Sequence, residues 1–110
     1  MTRNTSTRTL RTNSKGEKLY PISGQKHQHN FQLVGDIMFN RACDAKDAGD
    51  MAAYNRLMER KQRADNYFCM VGAGVGWFTG KQYADAMAMI NWARGSRMVA
   101  CEQNNIPYVE

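Results

Sequence analysis

The stretch that most constrains the fold is residues 79–103, which has the pattern of a long, largely buried helix. Thr79 is followed three residues later by Gln82, the spacing of a capping box at a helix N-terminus. A helix that is apolar on more than one face needs neighbours on each of them, so we expect this helix to be the most buried and central one of a bundle. The apolar residues follow two stripes: Tyr83, Met87 and Ile90 on one, and Met89, Trp92 and Val99 on the other.

Apolar residues at helical spacing predict two further helices upstream. The first covers residues 25–48 and carries Phe31, Val34, Met38 and Ala42. The second covers residues 51–70, and its apolar stripe contains Met51, Tyr54, Leu57, Met58, Ala64 and Phe68. The break between them is short, which favours antiparallel packing. The sequence therefore predicts a mainly α protein whose residues 25–110 form one three-helix domain.

Residues 1–24 have a different composition and are predicted to form a basic arm or a short β-hairpin, so the fold is α+β at most. Asn13 and Gly16 occupy the first and fourth positions of a plausible turn. A hairpin around this turn covers roughly residues 7–22, with Pro21 at a strand end or edge. Because an isolated hairpin is only marginally stable, it must dock on the helices or on a partner to be ordered.

The positive charge of the chain is concentrated in this segment. The formal net charge is +5 over 110 residues. Residues 1–26 carry six basic residues and one acidic residue, whereas residues 27–110 carry nine of each. Such an arm is a candidate contact for phosphates or for an acidic partner, and the alternative is a solvated tail. The binding residues predicted here are Arg3, Arg8, Arg11, Lys15 and Lys18.

A second candidate surface follows the middle helix. Arg56, Arg60 and Arg63 are spaced by four and three residues, which places them on one helix face, and Tyr67 extends the row by one turn. Arginine can bind phosphate or carboxylate through two hydrogen bonds, and tyrosine can stack on a base. The alternative interpretation is an ordinary solvated face opposite the apolar stripe.

The sequence contains no convincing catalytic or metal-binding pattern. The glycines of residues 72–81 fail the phosphate-loop spacing, because position 75 is Val and the residue after Lys81 is Gln82. His27 and His29 would point about 200° apart on a helix, so they could not share a metal there. We therefore expect no metal site and no cofactor, and an enzyme that uses a histidine or a cysteine is the least favoured function.

The three cysteines suggest a reducing compartment. Cys43, Cys69 and Cys101 are far apart and odd in number, so a disulfide framework is not expected, and we predict buried structural thiols. The first 24 residues lack the apolar core of a signal peptide. The longest uncharged run, residues 66–80, is too short to cross a bilayer. We therefore expect a cytoplasmic protein with no membrane partner.

These features favour a small non-enzymatic binding protein. The first hypothesis is a regulator or inhibitor of the phage or mobile-element type that docks on a larger protein or nucleoprotein complex. The alternative is direct binding of DNA or RNA by the basic arm and the Arg56, Arg60 and Arg63 face, with an affinity that falls steeply as salt rises. The sequence does not indicate the oligomeric state.

Overall fold

The computed structural model describes residues 11–73, 76–105 and 107, without the side chains of Val99 and Glu102. In these ranges, three short strands and three long helices confirm the predicted mainly α fold with a small β element. In chain order they are β1 (Arg11–Thr12), β2 (Lys18–Pro21), α1 (Gln25–Asp47), α2 (Met51–Gly72), β3 (Trp77–Thr79) and α3 (Gly80–Gln103).

The strands form an antiparallel sheet in the order β1-β2-β3. β1 and β2 make the predicted hairpin, with Arg11 opposite Leu19. The turn is held by the Asn13 side chain, whose Oδ1 accepts hydrogen bonds from the backbone N–H groups of Lys15 and Glu17, both at 3.0 Å. Residues 7–10 of the predicted hairpin, like Arg3, lie outside the described residues.

β3 was not predicted as a strand from the sequence. It pairs with β2 through three residue pairs, including Tyr20 opposite Phe78. The Ile22 N–H extends the pairing by donating to the Gly76 carbonyl oxygen at 2.8 Å. A Cβ atom at position 76 would overlap the Ile22 carbonyl oxygen, so this approach of two backbones requires glycine. The hairpin is thereby joined to the helices, as its own marginal stability demands.

α1 and α2 form the predicted antiparallel pair. Asp50 caps α2, its Oδ1 accepting the Ala53 N–H at 3.1 Å. The helices approach closely at Gly35, where an added Cβ would lie 2.9 Å from the Asp65 carboxylate. Lys61 and Asp65, one turn apart on α2, form an ion pair at 2.5 Å.

α3 begins as the sequence predicts. The Thr79 hydroxyl oxygen accepts the Gln82 N–H at 3.2 Å, and the Gln82 side-chain oxygen accepts the Thr79 N–H at 3.0 Å, which completes the capping box. The expectation that this helix is the most buried and central one is wrong. Of its described residues, Ala86, Met89, Ile90 and Ala93 belong to the core, whereas Met98 is 52% exposed.

The central helix is α1, which packs against both α2 and α3. Phe31 and Val34 of α1 are completely buried, and Phe78 of β3 closes the core from the sheet side. The second apolar stripe of α3 is only partly covered, since Met89 is in the core and Trp92 is half-buried. The core cluster comprises Ile22, Phe31, Val34, Met38, Ala64, Tyr67, Val71, Phe78, Ala86, Met89, Ile90 and Ala93.

Burial is confined to the half of the helical pair near the sheet. The last buried residue of α1 is Ala42, and the first of α2 is Ala64. Residues 43–63, here called the helical tip, contain no buried residue. The tip is therefore mainly a two-helix projection, and α3 reaches it at Arg63, the residue of the tip nearest the core. None of the described helices is long and apolar enough to cross a membrane.

Candidate functional site

The outer face of the sheet presents an aromatic ring and a guanidinium group together. Directly opposite residues in an antiparallel sheet point to the same face. Since Phe78 points into the core, Arg11, Leu19, Pro21 and Trp77 share the other side, which we call the outer sheet face. The Arg11 guanidinium carbon lies 4.6 Å from the centroid of the Trp77 ring, which is a cation–π contact.

Three exposed lysines lie at the same end of the molecule as this face. Lys15 and Lys18 lie on the hairpin and Lys26 lies in the first turn of α1. No carboxylate among the described residues forms an ion pair with any of the three. The nearby Glu17 side chain accepts a hydrogen bond from the Asn13 amide at 3.0 Å. The sheet end of the molecule, as far as the structure describes it, therefore has an unbalanced positive charge. Arg3 and Arg8 of the predicted arm lie outside the described residues.

The opposite end of the molecule is acidic. The turn between α1 and α2 is flanked by Asp44, Asp47 and Asp50, with Lys46 as the nearest cation. The 23 residues of α1 separate this turn from the sheet, a distance of about 35 Å along a helix. The described chain therefore has a cationic sheet end and an acidic turn between α1 and α2, separated by the length of α1.

The predicted arginine row on α2 is not uniform. Arg63 donates to Glu59 at 2.7 Å and to Asp85 of α3 at 3.1 Å, so its charge is balanced within the molecule. Arg56 is exposed and forms no ion pair with any described residue. Arg60 is half-buried, and its Nε is buried with no hydrogen-bond partner in the described chain. The three side chains share a face, as the spacing predicts, but they differ in how available their guanidinium groups are for binding a ligand.

Tyr67 lies in the core, and its predicted placement on the solvent face is wrong. It is 6% exposed, and its ring packs against Phe31 and Phe78, with centroids 5.6 Å and 5.4 Å away. α3 covers this part of the α2 surface, which the spacing within α2 alone does not reveal. The ring is therefore not available for stacking on a base.

The Tyr67 hydroxyl and Arg63 share one acceptor. The phenol donates to Asp85 Oδ2 at 2.7 Å, the same oxygen that Arg63 Nε reaches. Burial, followed by the hydrogen bond and charge of Asp85, raises the pKa of Tyr67 to about 12, against a smaller lowering by Arg63. The cluster therefore joins a neutral phenol and a cation of α2 to one carboxylate of α3, which fixes α3 on α2. Asp85 was missed as a partner because it is 22 residues from Arg63 in sequence.

The cysteines and acidic residues do not assemble into a metal site in the part of the chain that the structure describes. There, no group of three or more histidine, cysteine, aspartate or glutamate residues is placed to hold an ion. Cys43 and Cys101 are half-buried and Cys69 is exposed, so the prediction of buried thiols is wrong: none of the three is fully buried.

The sequence analysis also missed Trp77 as a surface residue. Its only local signal is the alternation of residues 77–79, which is too short to predict a strand without knowing that β2 lies beside it. Comparison with models of known families, with curated proteins and with solved structures finds no match to this chain.

Proposed function

We propose that this protein is a small non-enzymatic binding protein that docks on a larger protein or nucleoprotein complex, as regulators and inhibitors of the phage or mobile-element type do. The observation that carries the proposal is the outer sheet face, where Arg11 lies over Trp77, at the end of the molecule that also carries the exposed residues Lys15, Lys18 and Lys26. The phage or mobile-element origin rests only on the small size of the chain and its lack of a catalytic motif.

The chemistry of the outer sheet face suits a protein partner. Tryptophan and arginine are enriched among the residues that dominate binding energies at protein interfaces. Leu19 is half-buried and Pro21 exposed, so the ring has apolar neighbours. The exposed lysines at the rim favour a partner whose complementary surface is acidic and increase the rate of encounter more than the final affinity.

Affinity purification of the tagged protein from cells of its source, with and without nuclease, tests the proposal. We expect a stoichiometric protein partner that remains bound after nuclease treatment and is lost from the Trp77→Ala variant. Met98→Ala is the matched control, since Met98 is an exposed apolar residue of α3 away from the sheet. Failure to recover a stoichiometric partner, or equal recovery with both variants, would argue against docking through this face.

Direct nucleic-acid binding is the second candidate, and the same cationic end favours it. Arg3 and Arg8 precede β1 in the sequence, so the predicted arm leads into the outer sheet face. Phosphate contacts from the arm and the hairpin lysines would make the affinity fall steeply with salt. Arg56 and Arg60 could add contacts only if the nucleic acid also passed along α2.

The salt dependence of binding to single- and double-stranded oligonucleotides separates the two candidates. For a nucleic-acid-binding protein, the double variant Lys15→Gln and Lys18→Gln should reduce the slope of log K against log salt by about one per lost phosphate contact. Lys46→Gln, beside the acidic turn between α1 and α2, is the control and should leave the slope unchanged. Absence of binding to DNA and RNA at low salt would eliminate this candidate.

A further inference from the structure

Arg60 occupies an unusual position in α2. It is half-buried and follows the spacing of the core-facing residues Leu57, Ala64, Tyr67 and Val71. Its Nε is buried and has no hydrogen-bond acceptor among the described residues. Buried guanidinium N–H groups are normally satisfied, so an unpaired one calls for an explanation.

The contacts of two other arginines show which side of the helical pair Arg60 faces. Arg63 of α2 reaches Asp85 of α3, and the Arg41 guanidinium of α1 lies 5.6 Å from the Trp92 ring centroid of α3. Both side chains therefore mark the side covered by α3. Arg60 precedes Arg63 by three residues, so it lies on that side, one turn closer to the helical tip.

The place where α3 meets the uncovered tip is thus surrounded by three arginines. We call this set, Arg41, Arg56 and Arg60, the arginine corner. α1 and α2 run antiparallel, with Phe39 close to Lys61 and Lys46 close to Tyr54. This register places Arg41 level with Glu59, between Arg56 and Arg63 along the pair. Arg56 lies one turn from Arg60.

The arginine corner has no internal counter-ion in the described chain. None of its three members forms an ion pair there. The nearest acidic residues on the same side, Glu59 and Asp85, are both bonded to Arg63. Three guanidinium groups without carboxylates, one of them partly desolvated, are suited to binding an oxyanion through paired hydrogen bonds.

We propose that the arginine corner binds a carboxylate side chain from an acidic, partly apolar segment of the partner protein, a proposal that rests on the proposed function. The surroundings favour this ligand over nucleic acid. Asp44, Asp47 and Asp50 lie on the tip side without ion pairs in the described chain, and they repel a long polyanion that must continue past the corner. The half-buried Trp92 offers an apolar contact for the same segment.

Nuclear magnetic resonance of the arginine Nε–H groups tests the site in the full chain. The probe is a short synthetic peptide rich in Glu and Leu, and its control replaces every Glu with Gln. We expect the Arg60 Nε–H resonance to shift saturably with the Glu peptide and not with the Gln peptide. Arg60→Gln should weaken binding about tenfold, the effect of losing one charge-assisted contact.

Three variants separate recognition from structure. Arg56→Gln changes an exposed corner residue and should weaken peptide binding without changing Tm. Lys15→Gln with Lys18→Gln lies at the sheet end and should leave peptide binding unchanged. Arg60→Met keeps the approximate shape but removes the unsatisfied donor, so it should raise Tm by a few degrees while weakening binding at least as much as Arg60→Gln does. A fall in Tm would show that Arg60 is structural.

Three results would overturn the inference. The first is the absence of a saturable Arg60 shift with the Glu peptide. The second is tighter binding of a single-stranded oligonucleotide than of the peptide at the same resonance. The third is a concentration-dependent Arg60 shift without peptide, which would identify a second copy of the chain as the occupant.

Failure of the proposed function is a separate outcome. If the chain captures no partner from cells but Arg60 still responds to the peptide, the docking proposal fails and the corner stands as a carboxylate site. If a partner is captured through the outer sheet face and Arg60 does not respond to the peptide, the carboxylate site at the arginine corner is refuted and the docking proposal stands.

Discussion

At the residue scale, Asp85 determines how α3 is attached to α2. A single oxygen of its carboxylate accepts hydrogen bonds from both Tyr67 and Arg63. Tyr67 is a neutral donor in the core, and Arg63 is a cation at the surface. The spacing of Arg63 and Tyr67 within α2 is visible in the sequence, but their common acceptor is not. A row that looks like a free binding face in one helix thus becomes a helix–helix contact when α3 covers it.

Removing the Tyr67 hydroxyl should destabilise the protein moderately. We expect Tyr67→Phe to lower the free energy of unfolding by about 1 kcal/mol. The loss is moderate because the Asp85 carboxylate still pairs with Arg63 and is partly solvated. Asp85→Ala should cost about 2 kcal/mol, since it leaves the buried phenol without an acceptor. Urea denaturation of both single variants and the double variant measures the coupling.

Tyr54→Phe is the matched control for this cycle. Tyr54 also lies on α2, is half-buried and contacts Lys46 through its ring. Its hydroxyl makes no hydrogen bond with a described residue, so the change should stay within about 0.5 kcal/mol. Equal effects of the two Tyr→Phe changes would show that the Asp85 contact does not stabilise the fold.

Tyr67 also predicts an alkaline limit to stability. Its folded pKa of about 12 is raised above the ordinary value of 10.0, so folding favours the protonated phenol. Its contribution to stability is complete below pH 10 and is lost as the pH rises towards 12. Urea denaturation across this range should show a fall in unfolding free energy that is reduced in Tyr67→Phe. An identical fall in the variant would assign the alkaline loss to other groups.

At the element scale, the helices were predictable and β3 was not. The signals for helices are local: α3 starts at the capping box of Thr79 and Gln82, and the Asp50 cap starts α2. A strand of three residues has no periodicity of its own. β3 exists because β2, more than fifty residues earlier, supplies its hydrogen bonds, and because Gly76 lets the two backbones meet.

A pair of glycine substitutions tests that explanation. Gly76→Ala should lower the free energy of unfolding by about 2 kcal/mol or more, since the new Cβ overlaps the Ile22 carbonyl oxygen. Gly95→Ala is the control, because Gly95 lies within α3 with nothing within 4 Å of an added Cβ. It should raise stability by about 0.5–1 kcal/mol through helix propensity. If both changes stabilise the protein, the backbones at the β2–β3 junction can move apart to accommodate the new Cβ atom.

At the scale of the whole molecule, the centre of the fold follows from which helix has two neighbours. α3 has the more evenly apolar sequence, yet α1 lies between α2 and α3. The apolar pattern of one helix reveals how much surface can be buried, not how many neighbours are present to bury it. The arm was predictable as a charged segment, but the outer sheet face required the long-range pairing that places Trp77 beside Arg11.

The uneven burial predicts uneven local stability. Residues 43–63 contain no buried residue, whereas the sheet-proximal halves of α1 and α2 contact α3 and Phe78. Local opening is easiest where few apolar contacts must be broken. We therefore expect backbone amides near the turn between α1 and α2 to exchange with deuterium faster than those around Phe31, Val34 and Tyr67.

Hydrogen exchange followed by mass spectrometry measures this difference directly. Protection should rise in both helices with distance from the turn, because the same core limits opening on each side. Gly49→Ala should accelerate exchange at the tip alone, since Gly49 has a φ of 79° that an alanine adopts only with strain. Uniform protection along both helices would contradict the two-helix description of the tip. If a partner carboxylate binds the arginine corner, saturating Glu peptide should slow exchange around Arg56 and Arg60 and leave the hairpin unchanged.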